Sequence, residues 1–199
     1  MKWLTAILLL ALPLQAEADS RSKISQGATE WTAKGGFAWS GVAARYGVSP
    51  RVATLAEVET ALFVRWEGRA GLQIQWLDSE AWALDTTLAL GAVRQESTVS
   101  RQGPQASIVV RISKTGNVEP YLAIHNREFL SMTSTQVLSE EDTTTRWETE
   151  LLHARGGTLG VVFPTTKHFM VDIGLQMGSM DSAFAIPSFF TAVHWRPSK

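Results

Sequence analysis

The sequence predicts an all-β chain, an antiparallel transmembrane β-barrel of about ten strands within a range of roughly eight to twelve. Three observations predict it: side chains alternate apolar and polar along most segments, turn residues punctuate those segments at short intervals, and an export signal precedes them. A period of two is the strand period, because successive side chains point to opposite faces.

The export signal comes first. Met1-Lys2 is followed by an apolar run from Trp3 to Leu14 and then by Ala16-Glu17-Ala18, whose small residues suit a signal peptidase, so residues 1–18 read as a signal peptide and Asp19 as the mature N-terminus. The run is interrupted by Thr5 and Pro13 and falls short of the about 20 apolar residues that a spanning helix needs. Residues 19–199 then read as a single β-barrel domain, since no composition shift or low-complexity tract divides them. Formal net charge is −1 over the whole chain, which argues against a nucleic-acid partner. There is no Cys, so neither a disulfide nor a lipid-carrying Cys is available to an exported form.

Turn chemistry marks Gly47-Val48-Ser49-Pro50, Gly68-Arg69-Ala70-Gly71, Gln102-Gly103-Pro104, Lys114-Thr115-Gly116-Asn117, Ser139-Glu140-Glu141-Asp142, Arg155-Gly156-Gly157, Pro164-Thr165-Thr166-Lys167 and Gly178-Ser179-Met180-Asp181. Between them, strands are expected to start near Ala33, Ala56, Leu72, Ala83, Gln105, Val118, Thr144, Thr158, Phe169 and Ser188. From Glu57 to Glu67 the even positions Val58, Thr60, Leu62, Val64 and Trp66 are largely apolar, and the odd positions Glu57, Glu59, Ala61, Phe63, Arg65 and Glu67 carry the charges. The same contrast sets Ile108, Val110 and Ile112 against Gln105, Ser107 and Arg111, then Leu122 and Ile124 against Tyr121 and His125. It returns in Val171, Ile173, Leu175 and Met177 against Asp172 and Gln176, and in Phe189, Val193 and Trp195 against Ser188 and His194. Val52–Glu67 also offers Leu55, Val58, Leu62 and Trp66 at helical spacing, but a strand accounts for more of the segment.

Face content separates a membrane barrel from a sandwich. The apolar face is broad, and tryptophans at 31, 39, 66, 76, 82, 147 and 195 fall at or near expected turns, where an interfacial girdle sits; core or inter-sheet aromatics are the alternative. The opposite face holds both signs of charge. In a barrel it lines the lumen, and the expected lining residues are Glu57, Glu59, Arg65, Asp85, Arg111, His125, Arg127, Arg146, Glu148, Glu150 and Asp172. Segments of this length match the about 9 to 11 residues of a tilted spanning strand, and closure satisfies every backbone group.

The run Gly160-Val161-Val162-Phe163-Pro164-Thr165-Thr166-Lys167-His168-Phe169-Met170-Val171-Asp172-Ile173-Gly174-Leu175-Gln176-Met177-Gly178 has a strand ending at a Pro/Thr turn and a next strand reading apolar-Asp-apolar-Gly. A polar loop then leads to Pro187 and a final strand from Ser188 to Arg196. This part resembles the C-terminal hairpin of the transporter-like outer-membrane family of the meta-pathway of phenol degradation. The resemblance implies a Gram-negative outer membrane and passage of small hydrophobic or aromatic compounds. Two features depart from such barrels: family members are longer, and here Trp195 is followed by Arg196-Pro197-Ser198-Lys199 rather than closing the chain.

Candidate chemistry is sparse. His125, His153, His168 and His194 show no metal-ligand spacing, and no Gly-x-Ser-x-Gly elbow or His-x-Ser triplet occurs. Ser131, six residues after His125, shares its face only if the strand is unbroken. Glu57/Glu59 and Glu148/Glu150 are i,i+2 pairs about 6.5–7 Å apart, more consistent with a charged face than with acid–base work. The expectation is therefore a non-enzymatic barrel without cofactor or metal: a passive channel, a transporter-like component or a structural envelope protein. Its partners would be outer-membrane lipid, the barrel-assembly machinery and an unspecified small-molecule cargo. A soluble periplasmic β-sandwich or lipocalin-like binding protein is the alternative, and an outer-membrane lipid hydrolase the third reading.

Overall fold

A computed structural model describes residues 25–36, 39–61, 65–96, 100–138, 143–180 and 183–197. The expected signal, residues 1–18, lies outside the described residues. Ten strands follow in order: β1 Thr29–Gly36, β2 Trp39–Ser49, β3 Val52–Ala61, β4 Arg65–Asp78, β5 Trp82–Gln95, β6 Arg101–Lys114, β7 Glu119–Leu138, β8 Thr143–Pro164, β9 Phe169–Met180 and β10 Ala183–Trp195. Each pairs antiparallel with its chain neighbour, and β1 closes on β10 from Trp31↔Trp195 to Gly36↔Phe190. Closure pairs the strands on both sides around the wall, so within it no edge is left as a template for further pairing.

The expected count of ten holds, although three of the expected segments divide differently. The segment starting near Ala33 is two strands, β1 and β2. Conversely, the starts at Thr144 and Thr158 both belong to β8, a single strand of 22 residues. The expected strand Glu57–Glu67 is a hairpin in which Thr60 faces Trp66 and Ala61 faces Arg65. Those facing positions are both even or both odd, so the alternation passes through the turn unbroken and the sequence gives no sign of reversal. Leu62, Phe63 and Val64 lie outside the described residues.

Three expected turns are strand interior. Gly68–Gly71 sits in mid-β4. Gln102-Gly103-Pro104 is part of β6, and the ladder to β7 skips Gly103 and Pro104 because proline has no N–H to give. Arg155-Gly156-Gly157 is part of β8, where glycine makes room for a ring on the next strand. Gly156 faces His125 and Gly160 faces Tyr121. A Cβ on Gly160 would stand 2.6 Å from the Tyr121 ring, and one on Gly156 would meet the His125 imidazole. Gly160→Ala is therefore expected to cost about 1–3 kcal/mol through overpacking, and the same change made in a Tyr121→Ala background should add almost no further loss, measured by urea unfolding.

The wall has an inverted polarity relative to a water-soluble barrel. Leu90, Ile124, Leu159 and Phe189 point outward with 71%, 62%, 63% and 73% of their surface exposed. Trp31, Trp66, Trp76, Trp82 and Trp195 also point outward, which rules out the core reading for them; the Trp39 side chain lies outside the described residues. At the end carrying the chain termini, Trp31, Tyr46, Trp76, Trp82, Phe169 and Trp195 line the strand ends, with Phe169 stacked on Trp195 at 6.5 Å. The expected β-sandwich alternative is excluded by closure into one sheet.

Candidate functional site

The candidate site is the barrel interior, and alternation builds it. In β3 to β7 the odd residues face inward; in β8, β9, β1 and the C-terminal half of β10 the even residues do. What they carry is mostly polar: Glu30, Glu67, Arg69, Gln73, Gln75, Asp85, Gln105, Arg111, Glu119, Asp172 and His194 are all buried. Charge can be enclosed at this density only if it is paired, because an uncompensated buried ion costs several kcal/mol or more.

The pairing forms two groups. The first lies toward the end away from the chain termini and links β1, β3, β4 and β7. Lys34 contacts both Glu57 and Glu59. Arg69 reaches the same two carboxylates at 2.6 and 2.9 Å. Arg127, from β7, contacts Glu67 at 3.1 Å and Glu59 at 3.8 Å, while Arg65 holds the other oxygen of Glu67 at 2.7 Å. Since β7 stands across the barrel from β3 and β4, Arg127 makes this group a bridge through the interior. Above it, Val93, Phe129 and Leu152 pack into a buried apolar cluster.

The second group lies toward the chain termini. Glu30 Oε2 accepts from Arg45 at 2.9 Å and from Arg196 at 2.8 Å, and Arg45 also donates to Gln73 at 2.9 Å. His194, fully buried, has Nδ1 2.8 Å from Thr32 Oγ1 and Nε2 3.8 Å from Asp172. Tyr121 donates to Asp172 at 3.0 Å, and the Arg111 guanidinium stacks 4.0 Å over the Tyr121 ring. Arg196, beyond the last strand, thus works in the seam: besides Glu30, its N–H donates to the His168 carbonyl at 2.8 Å. Between the two groups lies a cavity of about 270 Å³ lined by residues of both.

Of the expected lining residues, Glu57, Glu59, Arg65, Asp85, Arg111, His125, Arg127 and Asp172 point inward. Glu57, Glu59, Arg65 and Arg127 come together in the first group, and Arg111 and Asp172 in the second. Arg146, Glu148 and Glu150 do not line the interior. They have inward parity but sit on β8 beyond the end of β9, where the wall no longer encloses them, and all three are exposed. Lys34, Glu30, Arg45 and Arg69 belong to the site though they are not among the expected lining residues, and His194, on the expected polar face of the last strand, joins them. Glu30, Thr32 and Lys34 alternate with Trp31, Ala33 and Gly35, but β1 begins at Thr29, ahead of the expected start near Ala33, so Glu30 and Thr32 fall before the expected strand. Arg69 was hidden inside an apparent turn.

The Ser131–His125 pair shares the inward face of β7, yet six residues of strand separate them by about 20 Å, too far for proton transfer. His153 points outward, 3.7 Å from Glu128. Among the described residues no group of three His, Asp or Glu side chains is placed to hold a metal ion.

No protein-family model matches the sequence, and no curated protein sequence matches it. The meta-pathway resemblance is accordingly not established. Solved structures with a similar course of chain are outer-membrane barrels. The N-terminal β-barrel domain of Pseudomonas aeruginosa OprF is 13% identical with a TM-score of 0.40, over 86% of this chain and 98% of that one. The KdgM porin is 8% identical with a TM-score of 0.41, over 84% and 98%. Neisserial surface protein A is 12% identical with a TM-score of 0.38, over 85% and 97%. The chain is thus a closed ten-stranded antiparallel β-barrel whose structural neighbours are outer-membrane barrels.

Proposed function

We propose that this chain is an exported outer-membrane barrel with a structural role in the envelope, its interior braced shut by ion pairs. The single observation that carries this reading is the bridge of Lys34, Arg65, Arg69 and Arg127 with Glu57, Glu59 and Glu67, which ties β1, β3 and β4 to β7 across the lumen. The apolar exterior supports lipid as its solvent, since such a surface in water is an aggregation hazard. A charged interior offers an apolar compound no path, so passage of hydrophobic cargo gains no support from this geometry.

A second reading, a narrow channel for water and small ions, draws on the polar cavity of about 270 Å³ between the two charged groups. Conduction would require Arg127 to leave both Glu67 and Glu59, opening the bridge on one side. The soluble binding-protein reading has the wrong polarity on both faces of the wall, and among the described residues the Ser131–His125 pair weighed for the hydrolase reading is not brought together.

The test of location is fractionation. The mature protein is expected to start near Asp19, to stay with outer membranes after a carbonate wash, and to migrate differently with and without boiling. Single spin labels at Val58 and Leu72 should be quenched by lipid-soluble oxygen, and labels at Glu59 and Thr87 should not. Recovery as a detergent-free monomer, with water contact at Val58 and Leu72, would overturn the membrane reading.

A further inference from the structure

β7 and β8 pair along their whole length, from Glu119↔Val162 to Leu138↔Thr143. Their outer ladders are shorter: β6 meets β7 no further than Thr133, and β9 meets β8 only from Ala154. The hairpin therefore rises past the wall as a two-stranded ribbon. Along its β8 side, Thr143–Leu151 has no described strand beside it, a free edge about 30 Å long at strand rise. Every second residue there presents its N–H and C=O to the outside.

Exposed edges are ordinarily blunted by Pro, by charged side chains, Lys above all, or by a bulge. This one has no Pro or Lys, and its register with β7 runs without a shift. Its composition favours further pairing, with Thr143, Thr144, Thr145, Thr149 and Trp147 among nine residues. One face presents Arg146, Glu148 and Glu150 and the other Trp147 and Leu151, all exposed. Along the edge itself Glu148 and Glu150 stand against one base, Arg146, which pairs with Glu148 at 3.2 Å and leaves Glu150 for a partner's cation.

We propose that the free edge Thr143–Leu151 is a strand-addition site for an extended, basic segment of a partner protein. Backbone hydrogen bonds would supply affinity and the alternate side chains selection: a cation opposite Glu150, apolar groups against Trp147 and Leu151. That this end faces outside the cell rests on the outer-membrane reading; the edge itself does not. A second copy fits less well. Antiparallel self-pairing at this edge needs a two-fold axis normal to the sheet, which sets the two barrels upside down to one another and so outside a shared membrane.

The experiment uses the mature chain in lipid nanodiscs and a nine-residue peptide alternating Lys with Val, with insertion verified separately by the boiling shift. The peptide is expected to slow amide exchange at alternate residues of Thr143–Leu151. Glu148→Lys/Glu150→Lys should weaken its binding about tenfold, through loss of the cross-strand ion pair at Glu150 and gain of repulsion at both positions. Methylating the peptide's alternate backbone nitrogens should abolish the protection. Equal binding of the methylated peptide, protection elsewhere, or no binding by a correctly inserted barrel overturns the proposal. So does self-association that protects the same amides without peptide, which would assign the edge to a second copy.

Discussion

Replacing Arg69 by Met is expected to destabilise the barrel by about 3–5 kcal/mol, the range for removing one member of a buried charge group. Arg69 is only 8% exposed and is shared by Glu57 and Glu59, so its loss leaves two enclosed carboxylates relying on Lys34 and the more distant Arg127. Methionine keeps much of the volume, which makes the charge rather than the packing the variable. Urea unfolding in detergent micelles measures the loss. A triple variant, Arg69→Met with Glu57→Gln and Glu59→Gln, should recover a good part of it, because the stranded carboxylates are then neutral. Planar-bilayer recordings supply an independent readout. The native barrel is expected to be closed or nearly so, whereas Arg69→Met should show cation-selective openings, since a surplus of lining carboxylates attracts cations. Large steady openings in the native protein would show that the bridge does not close the interior. A loss below about 1 kcal/mol would show that the group is hydrated rather than enclosed.

Replacing Leu90 by Arg is expected to cost about 2–4 kcal/mol when the protein unfolds from lipid vesicles, the penalty for a cation on the lipid face near the midplane. Leu90 is 71% exposed and lies in mid-β5. In water, the same substitution at so exposed a position would change stability by about 0.5 kcal/mol or less. The variant thus reports the solvent around the wall, independently of any internal contact. Glu80→Arg, in the exposed turn between β4 and β5, is the control and should be close to neutral. Equal, small effects at the two sites would place water around β5 and remove the bilayer from the account.

Most of the wall was legible because a strand writes its environment into the sequence. Where one face meets a polar interior and the other an apolar solvent, each residue is sorted by parity, and β6, β9 and the C-terminal half of β10 carry that sorting. Misreadings arose where parity persists across a chain reversal, as between Thr60 and Trp66, or where Gly and Pro serve packing rather than turning, as at Gly156, Gly160 and Pro104. A glycine that admits the Tyr121 ring and a glycine that ends a strand are the same letter, and only the neighbour across the ladder tells them apart.

Alternation, turn chemistry and the balance of charge on one face determined, by themselves, the class of fold and which face of β5, β6, β7 and β9 is polar, whereas the count of ten agreed because one merger, β1 with β2, offset one division, that of β8. Local sequence contains that information because side-chain direction in a strand depends only on position along it. The partners across the barrel were decided by tertiary structure alone. Strand tilt and register set Arg127 beside Glu67 and Glu59, bring Arg196 back to Glu30, and leave Arg146, Glu148 and Glu150 beyond the rim on an unpaired edge. These relations join residues up to 166 positions apart, and they depend on how far each strand slides against the next, a quantity that no single strand records.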